Sequence, residues 1–368
     1  MDFITWGIHM AKDMHNKVWD EATLTKLEVF KELVFEWLNI VLKAMEKFEN
    51  NKEISIYDLC CGCGYDLEKN EGSPLKIIRT LVARKKFNKN LKINIYFNDK
   101  DENKIDRLKK IIENNNFDKI LLNKNIFINY SSCDVSKYKI NKKAYFNLIF
   151  LDQYGIEYSQ KIDEFMSRGT DILMFISSAN IKRFKNMDSF KKYLGSKIST
   201  VSFEGMTNYE THKAVAMYFK KMYPKYHIGH FSLVKDNKNT NGLIFFSEHR
   251  KGQEKFLEAA WRVDPENGEG NKNLHKDFYK QKDSLFFDEK FPTSKMENYK
   301  QDLLEFLKDY KSNTEIKNFS LDMGFLTKHT NKILKDLEAN KEIERIGGKE
   351  KAFYLNEKEE KIKIRLKR

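Results

Sequence analysis

The chain has 368 residues, 40% hydrophobic, 13% aromatic and 33% charged, with only 4 prolines. That is enough apolar material for two or three folded domains, and it excludes a long disordered or fibrous chain. The net charge of +13 points to an acidic partner, most simply nucleic acid, unless it is spread over a solvated lysine surface. Four cysteines, three of them packed as Cys60, Cys61 and Cys63, do not form a disulfide framework. With no secretory apolar segment and no apolar run near the ~18 residues of a membrane span, a reducing, cytoplasmic setting is expected.

Trp6 and Trp19 anchor a polar opening stretch. From Thr23 onwards Leu24, Leu27, Phe30, Leu33, Trp37 and Ile40 recur at steps of three and four, the mark of a long amphipathic helix that fills an N-terminal segment, 1–50. Residues 54–64 then read as a buried strand that ends in Asp58 and runs into a turn carrying Gly62 and Gly64, where backbone can approach a ligand closely. Ser73 as N-cap and Pro74 as first helical residue start a helix that runs to about Phe87. Next come a strand over 92–97 ending in Asn98-Asp99 and a helix around 104–114. A strand over 126–130 leads to Asp134. A strand over 145–151 ends in Asp152-Gln153-Tyr154-Gly155, followed by a helix over 158–166 and a strand over 171–177. This alternation argues for βαβ units and a parallel sheet.

Residues 187–223 read as mainly helical. The apolar runs 228–234 and 242–247 flank a turn-rich connection and form an antiparallel hairpin. Five parallel strands closed by a hairpin are the strand inventory of the Rossmann-like α/β fold of S-adenosylmethionine (SAM)-dependent methyltransferases, expected over 51–262. A polar linker, 263–297, leads to a small domain, 298–368. There, helices around 303–307, 319–325 and 327–339 precede a hairpin of 343–346 and 352–355 with Gly347-Gly348 at its tip, a winged-helix pattern. The basic, alternating tail 361–368 reads as a further strand or a nucleic-acid arm.

A glycine turn alone does not choose a cofactor. The acids around it do more: Asp58, Asp66, Glu68 and Glu71, offset only by Lys69, would repel a pyrophosphate by several kcal/mol, on the order expected at low dielectric. They suit the positive sulfonium and ammonium of SAM, which has no phosphate, and no Gly-Lys-Ser/Thr follows the glycines. Asp99 is placed for the ribose hydroxyls and Asp134 for the adenine amine, while Cys60, Gly62 and Gly64 line the cofactor. Each acid taken singly is as readily a solvated or helix-capping side chain; four at successive strand ends are harder to dismiss. The C-C-x-C spacing points adjacent side chains apart and has no second ligand pair, so the cysteines read as small packing residues and not as a metal site.

At the end of the fourth strand, Asp152 and the Gln153 carbonyl can accept hydrogens from an exocyclic base amine, raising its nucleophilicity, and Tyr154 can stack the base. Arg183, just after the fifth strand, and Lys328, Lys349 and Arg365 in the C-terminal domain and tail are the candidates for phosphate contact.

Several stretches together resemble the three-Cys-motif partner family. They are Trp19 with Lys26-Leu27, the turn Asp58 to Gly64, Gly72-Ser73-Pro74-Leu75, Asp152-Gln153-Tyr154-Gly155, residues 180–184, and 242–246 running to Trp261-Arg262-Val263-Asp264-Pro265. The resemblance spans most of the chain and implies a SAM methyltransferase core, a C-terminal winged helix and a protein partner that carries the three cysteines. This chain has Cys-Cys-Gly-Cys-Gly where the family has Phe-Ala-Gly-Pro-Gly, and Asp-Gln-Tyr-Gly where it has Asp-Pro-Phe-Gly. Two readings follow: a SAM-dependent methyltransferase acting on an exocyclic base amine of RNA or DNA, or a non-catalytic nucleic-acid-binding subunit of a two-component, anti-phage system that keeps a SAM pocket for sensing.

Overall fold

The computed structural model describes residues 17–47, 52–85, 87, 90–141, 143–153, 155–206, 208–235, 239–270, 294–349 and 352–367. The chain divides into two compact units, Met1–Gly252 and Gln253–Arg368.

The first unit is built on a seven-stranded sheet. Its strands are β1 (Lys52–Asp58), β2 (Leu91–Asn98), β3 (Ile126–Ser131), β4 (Phe146–Leu151), β5 (Thr170–Ile176), β6 (His227–Lys235) and β7 (Asn239–Ser247). The spatial order is β3-β2-β1-β4-β5-β7-β6. The first five are parallel to their neighbours, while β7 runs antiparallel to both β5 and β6. This is the Rossmann-like methyltransferase arrangement, a parallel sheet ended by an antiparallel hairpin. The order reverses between β1 and β4, so the loops after these two strands part and leave a crevice at the carboxyl edge.

Helix α1 (Glu21–Met45) begins two residues before the expected Thr23, because the Asp20 side chain accepts the Thr23 N–H and caps it. It runs antiparallel to β4, and its register can be followed residue by residue. Trp37 Nε1 donates to Asp171 Oδ2 at 2.9 Å, level with Leu148 of β4. Phe30 stacks on Phe150 with centroids 4.1 Å apart. Four helical residues back is about 6 Å and two strand residues forward is about 6.6 Å, so Lys26 arrives beside Asp152.

Helices α2 (Ser73–Ala83), α3 (Glu102–Asn114) and a short α4 (Phe117–Leu122) follow β1 and β2; α4 has no counterpart among the sequence expectations. Gly72, in extended conformation, is the cap residue of α2 and Ser73 its first helical residue, one position off the expected start. The reason lies in the turn: Gly72 N–H donates to Gly64 O at 2.7 Å, which fixes the entry to the helix.

The opposite face of the sheet is covered by α5 (Lys161–Phe165), α6 (Ser178–Phe184), α7 (Asp188–Leu194) and α8 (Asn208–Met222). Ile162, Phe165, Ile181, Leu194, Val215 and Phe219 share one buried cluster with Ile149, Leu151, Met174 and Phe246 of the sheet. Fully buried His212 accepts or donates at Nδ1 with Ser178 Oγ (2.7 Å) and meets Leu243 O at Nε2 (3.1 Å). Burial holds its pKa down to about 4, so the ring is neutral and packs against Gly242.

The second unit contains most of α9 (Arg250–Val263), then α10 (Ser294–Phe306), β8 (Lys311–Ser312), α11 (Asn313–Asp322), α12 (Thr327–Ala339), β9 (Ile343–Ile346) and β10 (Lys363–Leu366). The expected hairpin partner of β9, residues 352–355, is not a strand. Tyr354 has φ of 52°, and fully buried Asn313 clamps the loop, its amide donating to Tyr354 O and Glu359 O and its Oδ1 accepting from Lys361 N. The tail supplies the strand instead: β10 lies between β8 and β9, antiparallel to both. Trp261 Nε1 donates to Gly324 O, and Asp264 accepts from the N–H groups of Glu266, Asn267, Glu269 and Gly270. The Trp-x-Val-Asp-Pro run is therefore a structural element of this unit. Among the described residues no helix is long and apolar enough to cross a membrane.

A Cβ at Gly242 would sit 2.2 Å from His212 Nε2, and the ring has no room to withdraw. Gly242→Ala is expected to destabilise the first unit by about 1–3 kcal/mol, read as a lowered urea midpoint with an unchanged slope.

Candidate functional site

The carboxyl ends of β1, β2 and β4 are level: Asp58 pairs in register with Phe97 and with Phe150, so Asp99 and Asp152 each lie two residues beyond. A cavity of about 650 Å³ opens at this edge, lined among others by Leu59, Cys60, Cys61, Ser73, Asp99, Asp152 and Gln153. The glycine turn adopts the backbone it was expected to need, with φ of 66° at Gly62 and 98° at Gly64. Asp99 holds that turn in place, accepting from Gly62 N at 3.0 Å with one oxygen and from Asp101 N at 3.0 Å with the other. Each oxygen keeps a lone pair for a further donor.

Asp58 is fully buried, and neither of its oxygens has a hydrogen-bond partner of good geometry among the described residues. Burial, with Asp152 and Asp99 adding repulsion, pushes its pKa up to about 8; the nearby Ser73 hydroxyl and Lys26 ammonium offset this only in part. An unpaired buried carboxyl costs stability, so its retention beside a cavity marks the place where a ligand of positive charge would fit.

Lys26 stands out in the sequence only as part of a motif at the start of α1, with no role attached to it. It is a central residue of the site. Its Nζ meets Asp152 Oδ2 at 2.5 Å, with side chains only 10% and 19% exposed, and it lies 4.6 Å from the centroid of the Phe175 ring. Helical periodicity shows it on the inner face of α1, but a lysine there signals function only once Asp152 is seen beneath it. Lys17 of the opening segment also lines the cavity.

The other expected site residues are distributed unevenly. Gln153 is buried and its side chain is structural: Oε1 accepts from Tyr158 N at 2.6 Å and Nε2 donates to Ser159 Oγ at 3.1 Å. Tyr154 lies outside the described residues. Asp134 caps the short helix after β3 through Ser136 N and accepts from the Tyr158 hydroxyl at 3.1 Å; those bonds outweigh its partial burial and hold its pKa down. Arg183, at the end of α6, is exposed and lines the cavity mouth. Lys328 and Lys349 are exposed in the second unit, whereas Arg365 is engaged, its Nε donating to Glu344 Oε2 at 2.9 Å and its guanidinium lying over Tyr310.

Two expectations about the turn change. Asp66 does not face a cofactor: it accepts from Trp19 N, Glu68 N, Asn70 N and Asn70 Nδ2 and ties the loop together. Glu71 pairs with Arg79 at 2.8 Å. The acidity that matters is that of Asp58, Asp99 and Asp152. Asn98 carries no signal in the sequence; fully buried, it donates to Leu59 O and Cys133 O and accepts from Ser131 Oγ and Cys133 N, binding the ends of three strands together. The cysteines are free thiols. Burial and the surrounding carboxylates push the Cys60 and Cys61 thiols well above the usual range, so they stay protonated, and no group of three or more metal-ligating residues is present among the described residues.

The first unit has the strand order of the Rossmann-like methyltransferase fold, with an acidic crevice at its carboxyl edge, and a winged helix follows it in the chain. Residues 274–347 match the family model described as a GMT-like wHTH domain. No curated protein matches the chain. Among solved structures, it is similar to a putative rRNA-methylase from Clostridium thermocellum, at 11% identity over 57% of this chain and 94% of that one, with a TM-score of 0.29. A dimethyladenosine transferase from Plasmodium falciparum matches at 11% identity over 83% and 96%, TM-score 0.29. An O-methyltransferase from Bacillus cereus, solved in complex with SAH, matches at 10% identity over 62% and 91%, TM-score 0.30. At these scores the superpositions are loose, and the functional reading rests on the site itself.

The Lys26–Asp152 pair carries its own expectation. Lys26→Met leaves Asp152 beside Asp58 and Asp99 without its cation and should cost about 1–3 kcal/mol. Lys26→Met combined with Asp152→Leu should cost clearly less than the sum of the two single changes. Urea unfolding of the four proteins measures it; simple additivity would show the pair to be of no energetic consequence.

Proposed function

We propose that the first unit is a SAM-dependent methyltransferase that methylates an exocyclic amine of a nucleobase in RNA or DNA, and that the winged helix supplies phosphate contacts through Lys328 and Lys349. The observation that carries this reading is the buried Asp58 carboxyl, without a hydrogen-bond partner of good geometry among the described residues, next to Asp99 and Asp152 at the sheet's switch point. Such a pocket repels phosphates and favours a cation that carries a nucleoside.

When bound, SAM supplies an electrophilic methyl group. Asp99 accepts from the ribose hydroxyls with the lone pairs that Gly62 and Asp101 leave free. Asp134 has a remaining lone pair for the adenine amine. Cys60, Gly62 and Gly64 form the wall beside the cofactor, and Asp58 balances its ammonium. On the acceptor side, Asp152 and the Gln153 carbonyl take the hydrogens of the amine, and Tyr154 stacks the base, which has to leave any duplex first. Lys26 occupies one oxygen of Asp152, so the other oxygen meets the amine as its nitrogen gains charge. The four free thiols suit a reducing, cytoplasmic setting.

We assign the chain to the three-Cys-motif partner group, with a three-cysteine protein as its partner. The Lys26–Asp152 pair favours a second reading over the remaining ones: if the lysine never yields space to an acceptor, the pocket senses SAM without transferring its methyl group. Labelled methyl transfer to total RNA and DNA, with the partner present, separates the two. Asp152→Ala should lower transfer at least 100-fold; a variant as active as the wild type would remove Asp152 from the acceptor site.

Binding of SAM has a pH signature. Free Asp58 holds its proton up to about pH 8, and a cationic ligand beside it favours the ionised form. Binding at pH 7 should therefore release a proton from this group, and affinity should rise from pH 6 towards pH 8. Calorimetry in buffers of different ionisation enthalpy should show a release in the wild type that is missing in Asp58→Asn. A wild type that fails to bind SAM at all would remove the methyltransferase reading.

A further inference from the structure

The chain's positive charge is not evenly spread. Residues 178–226, the helical segment between β5 and β6, contain ten Lys and Arg against three Asp and Glu, a net +7 that is more than half of the whole chain's +13. One face of this segment is apolar and seals the sheet. The other is basic. Lys192 on α7, Lys197 in the short helix after it, Lys213 and Lys221 on α8, and Lys225 beyond it are all exposed. Among the described residues, none of these five, nor Arg183, meets a carboxylate within ion-pair distance. Lys182 and Lys185, by contrast, are held by backbone carbonyls of the same segment. The tract reaches the crevice directly, because Asn180 and Arg183 of α6 line the cavity mouth.

Aromatic and thioether surface is interleaved with this charge. Phe184, Phe190 and Tyr193 are half-buried, the rings of Phe184 and Phe190 lie 5.4 Å apart, and Met187 between them is 52% exposed. Lysines that follow a backbone beside rings that accept base faces are the two components of a single-strand track. Lysines on a protein-docking or membrane face would not need to lead into a crevice.

We propose that the α6–α8 segment is a track for single-stranded nucleic acid that delivers a strand past Arg183 into the crevice. This rests on the methyltransferase reading for its purpose but not for its measurement. The track lies within the first unit and is separate from the phosphate contacts assigned to the winged helix.

The test uses the full chain and a fluorescein-labelled 20-nucleotide oligouridylate, with affinity followed by anisotropy across a salt series. Lys192→Glu/Lys213→Glu/Lys221→Glu should weaken binding at least tenfold and make the salt slope shallower by about 0.7 for each phosphate that is no longer neutralised. Lys109→Glu/Lys110→Glu/Lys119→Glu, on α3 and α4, should leave both within twofold. Equal effects from the two triple variants would overturn the proposal, because they would reflect net charge alone. Binding to vesicles of 30% phosphatidylserine that depends on the track, with none to the oligonucleotide, would overturn it in favour of an anionic membrane. SAM binding by calorimetry, measured on the same variants, reports folding and the state of the crevice: a wild type that binds the oligonucleotide but not SAM defeats the methyltransferase reading and leaves the track standing.

Discussion

Placing Asp58, Asp99 and Asp152 at one edge of a sheet sets like charges together where water is scarce, and Lys26 is what the fold places against them. The position of that ammonium follows from the whole length of α1. Trp37 bonded to Asp171, Phe30 stacked on Phe150 and Lys26 paired with Asp152 are three levels of one antiparallel helix–strand register. A shift of one helical turn would leave Asp152 facing an uncharged side chain and Asp171 without its indole donor. The crevice thus depends on a helix that contributes no strand to the sheet.

The compensation is incomplete. One cation faces three carboxyls, and Asp58 responds by keeping its proton. Asp99 accepts from two backbone N–H groups, and Asp152 pairs with Lys26. Asp99 and Asp152 therefore have different means of support, and Asp58 has only the nearby Ser73 hydroxyl. The turn uses its own N–H groups elsewhere: Gly72 N–H donates to Gly64 O, and the loop beyond is closed by Asp66. What remains is a buried, protonated carboxyl next to Asp99 and Asp152.

Much of this was readable from residue order. Alternating strands and helices led to the correct sheet, and acids at strand ends with two glycines in a turn pointed to its carboxyl edge, because each is a local signal with a short period. The misreadings have a common physical origin. Asp66 and Glu71 looked like cofactor acids because sequence proximity to the glycines stood in for spatial proximity, whereas a loop that folds back uses its acids on its own N–H groups. The wing was paired with residues 352–355 because they follow the Gly-Gly turn, but a buried Asn313 some forty residues earlier pins that loop and leaves β9 to the tail. Lys26 and Asn98 were invisible as site residues for the same reason: each acts through a partner more than thirty residues away, and no periodicity reports such a pair.

The separation of charge in the first unit follows from these same constraints. Three of the first unit's acids, Asp58, Asp99 and Asp152, lie at strand ends, where the sheet and α1 largely bury them. The helices between β5 and β6 turn their apolar faces to the sheet, and Lys192, Lys197, Lys213 and Lys221 remain exposed. A phosphate-bearing chain is thereby attracted to the rim and excluded from the floor, while a phosphate-free cation has the opposite preference. Two ligands of opposite charge can then occupy one crevice without competing for the same surface. Arg183 and Asp152 line a single cavity, so the boundary between the basic tract and the acidic strand ends falls within it.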